Sequence, residues 1–130
     1  MTEQSGLLVK NGRVATANGI QTNIAVGINR NRIVFIGNDT RISDEEYPSI
    51  IDAGGAFISP GLIDSHTHGG AGYDFLTVAD DEIDQLLEWY ASNGVTAVLA
   101  TLSAGLKDGY LEACQVLTRL VKKGSPGARL

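Results

Sequence analysis

"SPGLIDSHTHGGAGYDF", residues 59–75, decides how this chain is read. It holds both histidines of the chain, His66 and His68, two positions apart, between an apolar run and a glycine-rich loop. In a strand, side chains at i and i+2 share a face, so His66 and His68 project together from the run beginning at Leu62. Asp64 has the same parity. Two imidazoles so placed can meet one divalent cation, each giving a ring nitrogen at about 2.0–2.1 Å. Asp64, one step deeper, is a candidate acceptor for orienting a ligand ring from behind. A plainer account also fits: one histidine ties down the strand end by hydrogen bonding while the other is solvated. The bare pair leaves both open, because function resides in a whole site. A metal site needs a third ligand, and the nearby carboxylates Asp74, Asp80 and Asp81 suit loop and helix-cap roles.

The residues after the pair also have two readings. Gly69 and Gly70, in "GGAG", let backbone amides approach a substrate, or simply form a turn. Tyr73 and Asp74 line a pocket mouth, or pack the loop on the next helix. No third glycine completes a dinucleotide fingerprint, and no Gly-Lys-Ser/Thr follows. Ser103, in "TLSAG", has no histidine base available, which weighs against a serine nucleophile.

Working outward, the chain changes character near residue 60. Before it, short β-rich runs alternate with turn pairs. Asn11-Gly12 lies between "LLVK" and "RVAT" and predicts a hairpin, since both residues accept positive φ. Asn18-Gly19 repeats the cue, and "NRN" (29–31) separates "TNIAVGI" from "RIVFIG". Residues 38–48, "NDTRISDEEYP", read as a surface connection. "SIIDA" and "AFIS", around Gly54-Gly55, look like a further pair of strands. Together these predict a small sheet, or half of a sandwich.

After Pro60 the pattern is strand, helix, strand, helix. "DDEIDQLLEWYASNG" places Ile83, Leu86, Leu87, Tyr90 and Ala91 on one helical face, with Asp80 or Asp81 as N-cap and Asn93-Gly94 as stop. "VTAVLAT" (95–101) is a continuous apolar run, the mark of a strand covered on both faces. A second helix carries Tyr110, Cys114, Leu117 and Val121 on one stripe and stops at Gly124, which makes Cys114 a core residue. "SPGARL" then reads as a loop leading into a third strand. Two βα units cannot close a barrel, so the chain is expected to be the amino-terminal part of a longer protein.

Composition bounds the function. The chain has 130 residues, a net charge of −5 and an apolar share of 43%. These are values of a folded globular chain. With no basic cluster longer than Lys122-Lys123, nucleic-acid binding is not expected. No apolar run approaches the roughly 20 residues that span a bilayer, and no leader pattern opens the chain. Cys114 is the single cysteine, so no internal disulfide forms and a cytoplasmic setting is expected.

"SPGLIDSHTHGG" resembles the P-G-x-I-D-x-H-x-H signature of the amidohydrolase superfamily. "IVFIG…IIDAGGAFI" is similar to the small β-domain strands that lead into that superfamily's barrel. "HGGAGYDF", with "NGVTAVLATLSAG", most resembles the N-acetylglucosamine-6-phosphate deacetylases. The resemblance implies an α/β fold: β-sandwich strands over residues 1–58, then, over 59–130, the first two βα units of a (β/α)₈ TIM-type barrel. It implies His66 and His68 as metal ligands, one or two divalent ions (zinc or iron), and an acid/base aspartate beyond Leu130. The implied substrate is an amino-sugar phosphate, deacetylated to acetate and glucosamine 6-phosphate by a homodimer. Adenine deamination, cyclic-amide hydrolysis, or a non-catalytic segment with a structural H-x-H remain as alternatives.

Overall fold

The computed structural model describes residues 6–38, 40, 42 and 47–130. It is an α/β structure in which strands dominate, and its contacts divide it into two units, Met1–Pro60 and Gly61–Leu130.

The first unit is one five-stranded sheet. β1 (Gly6–Thr16) pairs antiparallel with β2 (Gly19–Asn29), which pairs antiparallel with β3 (Arg32–Asn38). The two hairpin turns fall where the sequence places them. Thr16 pairs with Gly19, whose φ of 99° takes the left-handed position after the turn. Arg30 and Asn31 both have positive φ (48° and 62°), the two-residue turn whose twist matches the flanking strands.

Asn11-Gly12 does not make the expected hairpin. β1 runs straight through it, and the left-handed Asn11 (φ 57°) is spent on a bulge, with register slips on either side of Gly12. Nor do "SIIDA" and "AFIS" pair with each other. β4 (Ser49–Asp52) and β5 (Phe57–Ile58) lie in line along the other edge of β1, both parallel to it. The Gly54-Gly55 turn leaves that edge opposite the bulge. The gap is closed by Ala53 N–H to Lys10 O (2.8 Å), Gly55 N–H to Asn11 O (2.7 Å) and Arg13 N–H to Ala56 O (2.8 Å). An Asn-Gly pair supplies positive φ. Whether the chain then reverses or only bulges depends on which strand lies alongside. Of the expected connection over 38–48, most lies outside the described residues.

The second unit begins with β6 (Leu62–Thr67), which pairs in parallel with β9 (Val95–Ala100). Between them come a hairpin of two-residue strands, β7 (Gly69–Gly70) and β8 (Tyr73–Asp74), and helix α1 (Ile83–Ser92). Helix α2 (Lys107–Lys123) follows β9. At the end of the described chain Arg129 forms a parallel bridge to Ala97, with Val98 N–H to Arg129 O and Arg129 N–H to Thr96 O both at 2.8 Å. The edge of β9 is therefore met by a single bridge from this last segment.

The core joins Ile83, Leu86, Leu87 and Tyr90 of α1 with Phe75, Val78, Val98, Leu120 and Ala128. Full burial of a large apolar side chain contributes about 1.5–3 kcal/mol, so α1 is held mainly by this stripe. Three expectations about the helices change. Ala91 is exposed, leaving a narrower stripe. Neither Asp80 nor Asp81 caps α1: the helical turn starts at Ala79, whose N–H donates to the Glu82 carboxylate at 3.1 Å, while Asp80 pairs with Arg119 at 3.0 Å. On α2 the buried side is Ala113 and Leu120, with Val116 and Leu117 packed beside them, so Cys114 and Val121 are exposed. Both stripes have helical spacing, and periodicity alone does not choose between them. β9 is covered on its Val98 face, while Leu99 on the other is 57% exposed. The stops hold as expected, with Gly94 (φ 80°) after α1 and Gly124 (φ 82°) after α2.

Candidate functional site

His66 is the last residue but one of β6, and His68 directly follows Thr67, which ends the strand. Both are exposed, with ring centroids 5.3 Å apart and planes at 84°. Two imidazoles on one tetrahedral ion, with metal–nitrogen distances of about 2.0–2.1 Å, bring their ring centres to about 5 Å. The pair is therefore neither splayed nor stacked.

What meets the rings is the carboxyl end of β9. His68 Nδ1 lies 3.0 Å from the main-chain oxygen of Thr101 and 3.3 Å from Ser103 Oγ. His66 Nδ1 lies 3.5 Å from Thr101 Oγ1, at the limit of a hydrogen bond. A carbonyl oxygen only accepts, so in neutral His68 the ring proton sits on Nδ1 and Nε2 keeps its lone pair. Among the described residues neither Nε2 has a hydrogen-bond partner. An imidazole fixed through one nitrogen, with the other left as a donor of electrons, is the usual state of a metal-ligating histidine.

Asp64 sits differently from the expectation. Its Oδ1 accepts from the His66 main-chain N–H at 3.2 Å and meets neither ring. The reason lies in the ladder: Asp64 to Thr67 is three steps opposite two from Val98 to Ala100, so strict alternation is interrupted inside the motif. Distant residues, Thr101 and Ser103, take the ring-orienting place.

The glycine loop is a hairpin built against α1. Ala71 and Gly72, with φ of 51° and 91°, form its two-residue turn. Gly69 cannot carry a side chain, since an added Cβ would meet Tyr73 O at 2.0 Å. Gly70 faces the Trp89 ring, where a Cβ would approach to 2.6 Å. Tyr73 donates from its hydroxyl to Gln85 Oε1 at 3.1 Å, and the main-chain oxygen of Gly69 accepts from Tyr90 at 2.7 Å. Gly69, Gly70 and Tyr73 are thus engaged in packing. Asp74 is the member of this loop that reaches the histidines, through Ser103 Oγ at 2.9 Å from its Oδ2.

Sequence reasoning passed over Thr101 and weighed Ser103 only as a nucleophile, with no histidine expected beside it, whereas His68 Nδ1 lies 3.3 Å away. The contact of Ser103 with a histidine does not make it a nucleophile, because His68 Nδ1 already carries its proton and cannot take another from the hydroxyl. Among the described residues no group of three or more His, Cys, Asp or Glu side chains converges on a metal position. The donor set fits half of such a centre: two oriented imidazoles, with further ligands required. A groove of about 760 Å³ lies along Leu76, Val78, Leu106, Ala113 and Arg119, and neither histidine lines it.

No family model matches the chain. Curated relatives do. Imidazolonepropionase of Pseudomonas savastanoi is 34% identical over 100 residues, covering 71% of this chain and 24% of that protein. N-acetylglucosamine-6-phosphate deacetylase of Bacillus subtilis is 33% identical over 96 residues, covering 73% of this chain and 24% of that protein. The likeness is to the amidohydrolase superfamily. The fold agrees with this amidohydrolase likeness. The crystal structure of N-acetylglucosamine-6-phosphate deacetylase from Pasteurella multocida superposes with a TM-score of 0.84 at 19% identity, over 95% of this chain and 32% of that one. The chain thus spans about a quarter of the length of these amidohydrolase relatives. No described helix is long and apolar enough to cross a membrane.

Proposed function

We propose that the chain is the metal-holding amino-terminal portion of an amide hydrolase, with His66 and His68 as two ligands of a divalent cation. The observation that carries this is the arrangement of the rings: both Nδ1 atoms face the end of β9, and among the described residues neither Nε2 atom has a partner. A pair serving only to fasten the strand end needs no such sharing of roles between the two nitrogens. The remaining ligands and a proton-transferring carboxyl group lie outside these residues, which fits the larger size of the relatives.

A bound cation, zinc or iron by the affinity of imidazole for such metals, supplies an acidified water and a Lewis acid for an amide carbonyl. The chain's own contribution is to hold and orient. Thr101 and Ser103 set the face of His68, and the β7–β8 hairpin fixes the approach beside it. The substrate we propose is an N-acetylated amino-sugar phosphate, cleaved to acetate and the free amine by a barrel of which β6 and β9 are the first two strands. Supporting this choice are the deacetylase relative and the fold likeness to a deacetylase. A cyclic substrate is the second reading, favoured by the imidazolonepropionase relative at similar identity.

The test is metal binding and hydrolysis in parallel. The 130-residue chain is expected to bind zinc weakly and to release no acetate from N-acetylglucosamine 6-phosphate. In a longer protein carrying this segment, His66→Ala and His68→Ala should each lower metal content and turnover with little loss of fold. Equal metal and turnover in both variants would sink the ligand role, and turnover of imidazolonepropionate instead of the amino sugar would move the substrate to the cyclic class.

A further inference from the structure

We infer that Ser103 and Asp74 are positioning residues for His68, an inference that rests on the metal-site reading above. The argument is a count of protons. Asp74, when ionised, has only acceptors. Its Oδ1 takes the Leu76 N–H at 2.7 Å, and its main-chain oxygen takes the N–H groups of Thr77 (3.0 Å) and Val78 (2.8 Å), so the hairpin and the turn after it hold the carboxylate in place. Oδ2 accepts the single hydroxyl proton of Ser103 at 2.9 Å. Ser103 Oγ then has only lone pairs to offer His68 Nδ1 at 3.3 Å. The second contact of that nitrogen, Thr101 O at 3.0 Å, is also an acceptor. Two acceptors on one nitrogen select the neutral tautomer with hydrogen on Nδ1 and fix the plane of the ring.

Asp74 acts through Ser103. Without a carboxylate to take its proton, the hydroxyl is free to turn and donate to Nδ1, which favours the opposite tautomer and puts hydrogen on the nitrogen a metal needs. Tyr110 of α2 donates its hydroxyl to Ser103 O, so the serine is held from the helix side as well. Three separate segments therefore converge behind one ring, whereas among the described residues the His66 ring nitrogens meet only Thr101 Oγ1, at 3.5 Å. The support is asymmetric, and His68 is the better-defined ligand.

Groups that orient ligating histidines typically carry about 10–100-fold in metal affinity. The test uses the whole chain, isotopically labelled, with long-range nitrogen–proton spectra of the His68 ring at alkaline pH without metal, and Co²⁺ titration followed by visible absorption. The native chain should show hydrogen on Nδ1. Asp74→Asn, whose amide would donate to Ser103 Oγ and free the hydroxyl proton to turn toward Nδ1, should mix the tautomers and weaken Co²⁺ by about tenfold, while adding Ser103→Ala, which removes that hydroxyl and leaves Thr101 O as acceptor, should return hydrogen to Nδ1. A native His68 with hydrogen on Nε2 overturns the proposal without any variant. So does a folded Asp74→Asn chain with unchanged tautomer and Co²⁺ affinity. If His66→Ala and His68→Ala leave Co²⁺ binding unaltered, the metal reading fails by itself; the tautomer spectra still decide what Ser103 does.

Discussion

The hydroxyl of Tyr90 donates to the main-chain oxygen of Gly69 at 2.7 Å, and Thr67 Oγ1 lies 2.7 Å from the same hydroxyl. Thr67 stands between the two histidines, so a side chain from the buried face of α1 reaches the strand end that displays them. Tyr90→Phe keeps the ring in the core and removes this tie. A loss of about 0.5–1.5 kcal/mol is expected in urea unfolding, because each oxygen loses one bond while Thr67 Oγ1 still donates to Gly69 O at 3.0 Å. Metal affinity should fall with it, to a smaller extent than in His68→Ala. An unchanged unfolding midpoint would show that the tie is not used.

Gly69→Ala should be the more damaging change in the hairpin. The backbone at Gly69 has φ of 148°, and the added Cβ would come to 2.0 Å from Tyr73 O, a main-chain atom fixed by the β7–β8 pairing. Strain of this kind costs about 1–3 kcal/mol before the clash is counted. The comparison is Gly72→Ala, where the backbone is also left-handed but no atom lies within 4 Å of the Cβ position, so a lower cost is expected. Thermal melting of the two variants side by side measures the difference.

Asp52 gives the first unit an acid-sensitive joint. The Gly54 main-chain N–H, then the Asn11 side chain at 2.9 Å, and to a lesser degree Lys10, favour its ionised form and hold its carboxyl below the ordinary range. A carboxyl lowered on folding contributes stability that is present above its unfolded value and is lost as pH falls through the folded one. Asp52→Asn should therefore lower stability slightly in the neutral region and leave the most acid region unchanged, which flattens the acid limb of a stability–pH curve. Because the group is exposed, the effect is small, and an identical acid limb in the variant would remove it altogether.

Cys114, exposed on α2, should react with a thiol reagent in the native chain at a rate close to that of the unfolded chain. Protection until unfolding would return it to the core, as its place on an apolar helical stripe first implied.

Much of this architecture was legible in the residues. Strand, helix and stop positions follow from periodicity and glycines, because these are local: Gly94 and Gly124 end helices through φ alone. The pairing of His66 with His68 is equally local, a consequence of alternate positions near a strand end. What failed were choices between two locally equivalent options. Asn11 supplies positive φ to a hairpin or to a bulge, and only the arrival of β4 and β5 along β1 selects the bulge. The two stripes of α2 differ in which one meets Val98 and the α1 face, and that is settled by packing.

The chain by itself determined the pair of histidines, the order of strands and helices, and the likeness that the motif carries. Tertiary structure alone decided what stands behind the rings. Thr101 and Ser103 lie more than thirty positions from His68 and reach it only because β9 lies parallel to β6, bringing both strand ends to one edge. Hydrogen bonds act over about 3 Å of space whatever the separation in sequence, so the tautomer of a ligand is a property of the fold.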